Sequence, residues 1–108
     1  MIRIRVSVLA ERDLDAIWHF IAMNSGSVDI ADGVIESITS TFLLFAHMPV
    51  AGTKRDEIDP GVRAFPVDKY IIYYRQEQGE EEECVVAISR VIHGMRDQPT
   101  AYRGANTS

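Results

Sequence analysis

The sequence predicts an α+β domain: a small antiparallel β-sheet covered on one face by an N-terminal α-helical hairpin, in the order β-α-α-β-β-β. Three observations predict it. Apolar residues recur at helical spacing in two adjacent stretches between Glu11 and Phe45. Two runs rich in aromatic and β-branched side chains, Val62 to Val67 and Tyr70 to Tyr74, are separated by only two residues. No helical crossover lies between the later strands, so they pair antiparallel. The helical layer then buries one face of the sheet.

Taken in order, Met1 to Val8 alternates Ile2, Ile4 and Val6 with Arg3, Arg5 and Ser7, the period of a strand rather than of a targeting segment. Ser7 is placed to cap a helix whose N-terminal half holds Glu11, Asp13 and Asp15. Leu14, Ile17, Trp18 and Ile21 form its apolar stripe, which assigns Trp18 to the core. Asn24-Ser25-Gly26 ends this helix and Ser27 caps the next, with Asp29 in its first turn. Ala31, Val34, Ile35, Ile38, Phe42 and Phe45 make the second stripe, and Pro49 closes it. So short a link makes the two helices an antiparallel hairpin. Val50 to Asp59 reads as a surface loop whose charges nearly cancel.

The stretch from Pro60 to Arg75 is a β-hairpin with Asp68-Lys69 as its turn. In that register Val67 faces Tyr70, Phe65 faces Ile72 and Arg63 faces Tyr74, and these share the core face. Val62, Ala64, Pro66, Ile71, Tyr73 and Arg75 fall on the opposite face, which is apolar and expected to lie open. Cys84 to Val91 is the last strand. His93 to Asp97 ends it and is expected to open a short helix. The domain is expected to span residues 1–97, with 98–108 a polar, aperiodic, frayed tail.

A chain of 108 residues holds a single core. No apolar run is long enough to cross a bilayer and no signal peptide is recognised, so a cytoplasmic protein is expected. Cys84 is the lone cysteine, which excludes an internal disulfide and a paired-cysteine metal site and suits a small buried strand residue. The net charge is −5, and Glu77 with Glu80 to Glu83 carries as much negative charge as that excess. This acidic run is read as a solvated hairpin loop that discourages edge pairing. No large basic footprint of a nucleic-acid binder is present.

His19 and His47 lie on the predicted helices and have no chemical neighbours in the pattern. His93 stands at a strand end beside Arg90 and Arg96. That trio suits phosphodiester cleavage, with His as acid or base and Arg on the phosphate. It equally suits a structural turn or a binding surface. Phosphate-cradling glycines and metal-ligand spacing are lacking, so no catalytic set, metal or cofactor is assigned.

From Arg3 to about Asp97 the chain resembles the ParE branch of the RelE/ParE superfamily of bacterial toxin–antitoxin toxins. The resemblance is carried by Ala10, Asp13-Leu14, Ile17-Trp18 and Phe20-Ile21-Ala22, then by Phe45, Pro49, Gly52 and Arg55-Asp56-Glu57-Ile58. It continues through Pro60-Gly61-Val62-Arg63, Phe65-Pro66-Val67 and Tyr70-Ile71-Ile72-Tyr73-Tyr74-Arg75 to Arg90-Val91-Ile92-His93-Gly94-Met95-Arg96-Asp97. It implies a plasmid-stabilising toxin that arrests growth by poisoning DNA gyrase. The implied partner is a ParD-like antitoxin, which alone contacts operator DNA. RelE-like relatives instead cut mRNA in the ribosome, and there an arginine commonly follows the aromatic that begins the central strand. Here Ile71 follows Tyr70, and an aliphatic side chain cannot stabilise a phosphoryl transition state. The net negative charge also suits a ribosomal RNA site poorly. His93, Arg96 and Tyr102 keep the ribonuclease as the alternative, and a non-toxic antitoxin-binding relic is a third. The expected antitoxin-binding face is Val62, Ala64, Pro66, Ile71, Tyr73 and Arg75. The expected target-binding residues are Arg90, His93 and Arg96.

Overall fold

The computed structural model describes residues 2–81 and 83–104. Strand β1 (Ile2–Val6) leads directly into helix α1 (Val8–Ser25), and α2 (Val28–His47) follows. Both helices start on the serines whose hydroxyls can take an otherwise unpaired amide. Ser7 Oγ accepts the Ala10 N–H at 3.0 Å and donates to the Ser89 carbonyl at 2.9 Å, so this cap also ties α1 to the sheet. Ser27 Oγ accepts the Ile30 N–H at 3.2 Å. Gly26 ends α1 at φ 70°, a left-handed geometry with little cost only for a residue lacking Cβ.

The sheet comprises β1, β2 (Thr53–Lys54), β3 (Arg63–Val67), β4 (Tyr70–Gln78) and β5 (Cys84–His93), in the spatial order β1-β5-β4-β3-β2. The central hairpin has the register read from its turn, with Val67 opposite Tyr70, Phe65 opposite Ile72 and Arg63 opposite Tyr74. Asp68 takes the positive φ of 53° and Lys69 does not, as the side-chain preferences of the two dictate. The sheet is not wholly antiparallel: β1 runs parallel to β5, Ile2 opposite Cys84 through Val6 opposite Ile88. That places β5 inside the sheet, and its run Val85-Val86-Ala87-Ile88 is buried on both faces. The stretch expected to be all loop contributes β2, a two-residue edge strand on β3.

Helices α1 and α2 cover one face. Ile17, Ile38, Phe42 and Phe45 pack there on Tyr70, Ile72, Tyr74, Val86, Ile88 and Val91. Phe45 stacks on Tyr74 with ring centroids 3.9 Å apart, and Phe65 meets Phe45 edge-on at 5.5 Å. The Tyr74 hydroxyl donates to the Pro49 carbonyl and accepts from the Gly52 N–H, both at 2.8 Å. A buried phenol thereby pins the chain that leaves α2. Arg63, on the same strand face, lies half-buried at the edge and donates to the Gly52 carbonyl at 2.7 Å. Trp18 is not core: it lies half-buried between the helices, its Nε1–H donating to Asp32 Oδ1 at 2.8 Å.

Beyond β5 the chain is not a frayed tail. Gln98–Tyr102 form a short helix, α3, with Pro99 in its first turn and Ala101 buried against the second sheet face. The remainder of the expected tail, residues 105–108, lies outside the described residues. The acidic hairpin is only partly a solvated loop, because Glu77 pairs with Arg5 at 2.6 Å and Glu83 with Arg3 at 3.7 Å, both arginines on β1. Glu82 lies outside the described residues. Cys84 opens β5 half-buried, and its Sγ accepts from Gln76 Nε2 at 3.2 Å. No helix among the described residues is long and apolar enough to cross a membrane.

Candidate functional site

The second sheet face is not open. Val62 and Tyr73 are fully buried and Ala64 nearly so, packed with Ile58, Ile92 and Ala101. The cover is the chain itself: α3 on one side and the turn from Arg55 to Pro60 on the other. The Tyr102 ring meets Tyr73 edge-on at 5.1 Å. The Tyr73 hydroxyl donates to Gln98 Oε1 at 2.7 Å, while the Tyr102 hydroxyl reaches Asp59 and Ser89, each at 3.1 Å. Arg75 pairs with Asp59 and donates to the Pro60 carbonyl. Of the six residues expected to meet an antitoxin, only Pro66 is exposed, and Ile71 and Arg75 are half-buried. An apolar face of this size is stabilised by exclusion of water, and here α3 and the Arg55–Pro60 turn provide the cover.

Arg90, His93 and Arg96 do not form one constellation. Alternation along β5 is broken where Tyr73 faces Arg90 and Tyr74 faces Ile88, a bulge that leaves Ser89 without a partner residue. Arg90, 5% exposed, points into the seam between α1 and α3. Its Nε and Nη2 take both Asp13 oxygens at 2.8 and 2.9 Å, a bidentate pair. Its Nη1 donates to the Ala101 and Tyr102 carbonyls at 2.7 and 2.8 Å. Asp13 holds the guanidinium above its ordinary value, against the opposing pull of burial. Asp13 also accepts the Val91 N–H at 2.9 Å, taking the place of the strand partner that β1 no longer supplies. Arg90 is therefore a structural joint and cannot reach a target.

His93 and Arg96 remain accessible. The Met95 N–H donates to His93 Nδ1 at 3.0 Å, which leaves the proton of the neutral ring on Nε2. The ring stands edge-on to Tyr70 at 5.2 Å and forms a ridge between two grooves. One, of about 390 Å³, lies between α1 and β5, floored by Ala16, Ile17, Phe20, Tyr70 and Ile92, with Arg96 at its lip. The other, of about 520 Å³, lies over Pro66 and Ile71 and ends at Gly94 and Met95. A cleft shared by Arg12, Arg96 and Arg103 continues the first groove at the Asp13 end. Among the described residues no cluster of His, Cys, Asp and Glu is arranged to hold a metal ion.

The reading of residue order missed the Asp13–Arg90 joint, because partners 77 positions apart leave no local pattern. It opened a short helix at His93 to Asp97 but gave Gln98–Tyr102 to the tail, although Asp97 followed by Pro99 is a helix-start signature.

A sequence profile described as "ParE toxin of type II toxin-antitoxin system, parDE" matches residues 4–98. Toxin ParE3 of Caulobacter vibrioides is 32% identical over 82 residues, covering 76% of each chain. A chain from the chromosomal ParDE system of P. aeruginosa superposes with a TM-score of 0.66 at 20% identity, covering 86% of this chain and 96% of that one. A chain of the RelBE2 toxin–antitoxin complex of Mycobacterium tuberculosis gives 0.53 at 21% identity, covering 84% and 95%. These two likenesses show the shared fold: a helical hairpin on a mixed sheet.

Proposed function

Since the chain belongs to the ParE toxin family of type II toxin–antitoxin systems, we propose that it inhibits DNA gyrase by binding it, without chemistry of its own. We propose further that a ParD-like antitoxin neutralises it in the cytoplasm and alone contacts operator DNA. The observation that supports binding over cleavage is the use of the sheet. The face on which a ribonuclease would need cations for a scissile phosphate carries Val62, Tyr73 and Ile92 under α3. Its one arginine from β5 is engaged by Asp13 and two carbonyls. Ile71 stands where the cleaving relatives were expected to carry an arginine, and a side chain without N–H donors offers nothing to a pentavalent phosphate.

The second reading, a ribosome-dependent ribonuclease, draws on one observation: His93 and Arg96 line the same groove. Induced expression with purified-component assays separates the readings. Gyrase supercoiling is expected to be inhibited by the purified chain and restored by the antitoxin, with transcripts in a translation extract left intact. His93→Gln is expected to keep its toxicity. Cut transcripts with wild type but not with His93→Gln, and supercoiling unaffected, establish the ribonuclease. Normal growth on expression without an antitoxin leaves only a non-toxic antitoxin-binding subunit.

A further inference from the structure

We infer that the cleft shared by Arg12, Arg96 and Arg103 is a phosphate-backbone site, which takes the duplex DNA held by gyrase while the toxin is bound to that enzyme. This inference rests on the gyrase reading and deepens it, from a toxin that meets protein alone to one that meets protein and DNA together. The cleft, of about 460 Å³, draws Arg12 from α1, Arg96 from the turn after β5 and Arg103 from the end of α3. The buried joint sets them side by side. Arg90 grips Asp13, the residue after Arg12, and the carbonyl of Tyr102, the residue before Arg103. The backbone of Arg96 is fixed too, its N–H donating to the His93 carbonyl at 3.1 Å and its own carbonyl accepting from Gln98 at 2.9 Å. None of the three guanidiniums is in an ion pair among the described residues, whereas those of Arg3, Arg5, Arg55, Arg75 and Arg90 all are. Like charges held around one cleft repel one another, and an anion placed among them removes that cost.

Lining and charge select the anion. Asp13, the acid in the lining, is already neutralised by Arg90. Among the described residues that line the cleft, only Leu9 and Gly104 are uncharged. It therefore lacks an apolar floor to anchor a peptide side chain, unlike the neighbouring groove over Ile17 and Phe20. A phosphodiester backbone asks for the reverse: forked cations and little apolar contact. The distribution of charge also keeps this site from acting alone. The acidic hairpin and the arginine cleft lie at opposite ends of β5, about 20 Å apart along the strand from Cys84 to Arg90. With a net charge of −5 and so few free arginines, affinity for duplex in solution stays low. Duplex that gyrase already holds beside the bound toxin is presented at a high effective concentration, and there a few contacts suffice.

The experiment uses the intact toxin, purified gyrase and a linear duplex that gyrase binds. The toxin is expected to bind gyrase at least about tenfold more tightly with the duplex than without it. The duplex is also expected to steepen the fall of log affinity with log salt by roughly two to three, at about 0.9 per phosphate contact. Arg12→Glu/Arg103→Glu is expected to lose the tenfold gain and about two of the added slope, while binding gyrase without DNA as wild type does. Lys54→Glu/Lys69→Glu, an equal change of net charge at exposed positions elsewhere, is expected to keep both. All four positions are exposed, and an unchanged thermal midpoint confirms folding. Arg12→Gln/Arg103→Gln, with the same expected loss of slope, serves where the charge reversal unfolds the chain. Equal wild-type affinity with and without duplex, or a gain kept in the double variant, overturns the DNA site and leaves the gyrase reading intact. An equal loss of affinity in the double variant with and without duplex makes the arginines a protein contact and overturns it as well. A toxin that binds gyrase in neither condition overturns both.

Discussion

Replacing Arg90 by Met tests the joint that holds α1, β5 and α3 together. Methionine keeps the length of the side chain and removes every donor. Asp13, only 15% exposed at its side chain, is then left ionised with the Val91 N–H as its remaining partner. The Ala101 carbonyl, also buried, loses its side-chain donor. Breaking a buried pair from one side costs about 3–5 kcal/mol, mostly the penalty of the orphaned charge. Against a total of roughly 5–15 kcal/mol for a domain, that is a large fraction. At about 4 °C per kcal/mol it lowers the midpoint by ~12–20 °C. Removing the orphan as well, in Asp13→Leu/Arg90→Met, is expected to recover part of the loss, so the double variant is more stable than the sum of singles predicts. Chemical denaturation gives the energies, and hydrogen exchange at residues 98–102 reports the release of α3. A loss below about 1 kcal/mol, or α3 amides unchanged in Arg90→Met, would refute the account of Arg90 as a joint.

Three further outcomes follow from the packing. Tyr74→Phe leaves the buried Gly52 N–H without its acceptor and is expected to cost about 1–3 kcal/mol by denaturant titration; Gly52→Ala, whose Cβ would sit 2.8 Å from Tyr74 Cε1 and 3.0 Å from the Ala64 carbonyl, is expected to destabilise too, and a neutral result in either would show that this contact is loose. Ile72→Glu places a charge in the main core and is expected to abolish folding, whereas Ile71→Glu, at a half-buried position by the Pro66 groove, stays folded with a modest loss by circular dichroism; the reverse result would exchange the two sheet faces. Burial pushes the phenols of Tyr70, Tyr73 and Tyr74 above the ordinary tyrosine value. The folded state therefore holds these protons more tightly than the unfolded chain, so their stabilisation is complete below about pH 10 and is lost as pH rises beyond it. Denaturant midpoints are expected to fall above that pH and to fall less steeply in Tyr73→Phe; a flat profile to about pH 11 would contradict the burial of these rings.

Local interactions were legible in the residue order, and the reason is that their partners are near neighbours. Ser7 and Ser27 announce the helices because a hydroxyl and the amide three residues on are held together by the chain itself. The hairpin register of Phe65 against Ile72 follows from a two-residue turn and the two-residue period of a strand. The helical stripe from Ala31 to Phe45 and the α+β class follow in the same way.

What the order of residues left undecided depends on partners distant in sequence. The place of β1 beside β5 is a choice among sheet edges, and no residue of β1 states it. Trp18 has the spacing of a core residue, but the distance between the two helices puts Asp32 within reach of its indole and leaves it at the surface of the hairpin. Arg90 reads as a free cation on a strand until the bulge at Ser89 turns it between Asp13 and the end of α3. The same closure conceals Val62, Ala64 and Tyr73. Alternation puts them together on one face, but whether that face meets water, a partner or the chain's own last helix is decided only when Tyr102 and Gln98 come back to cover it.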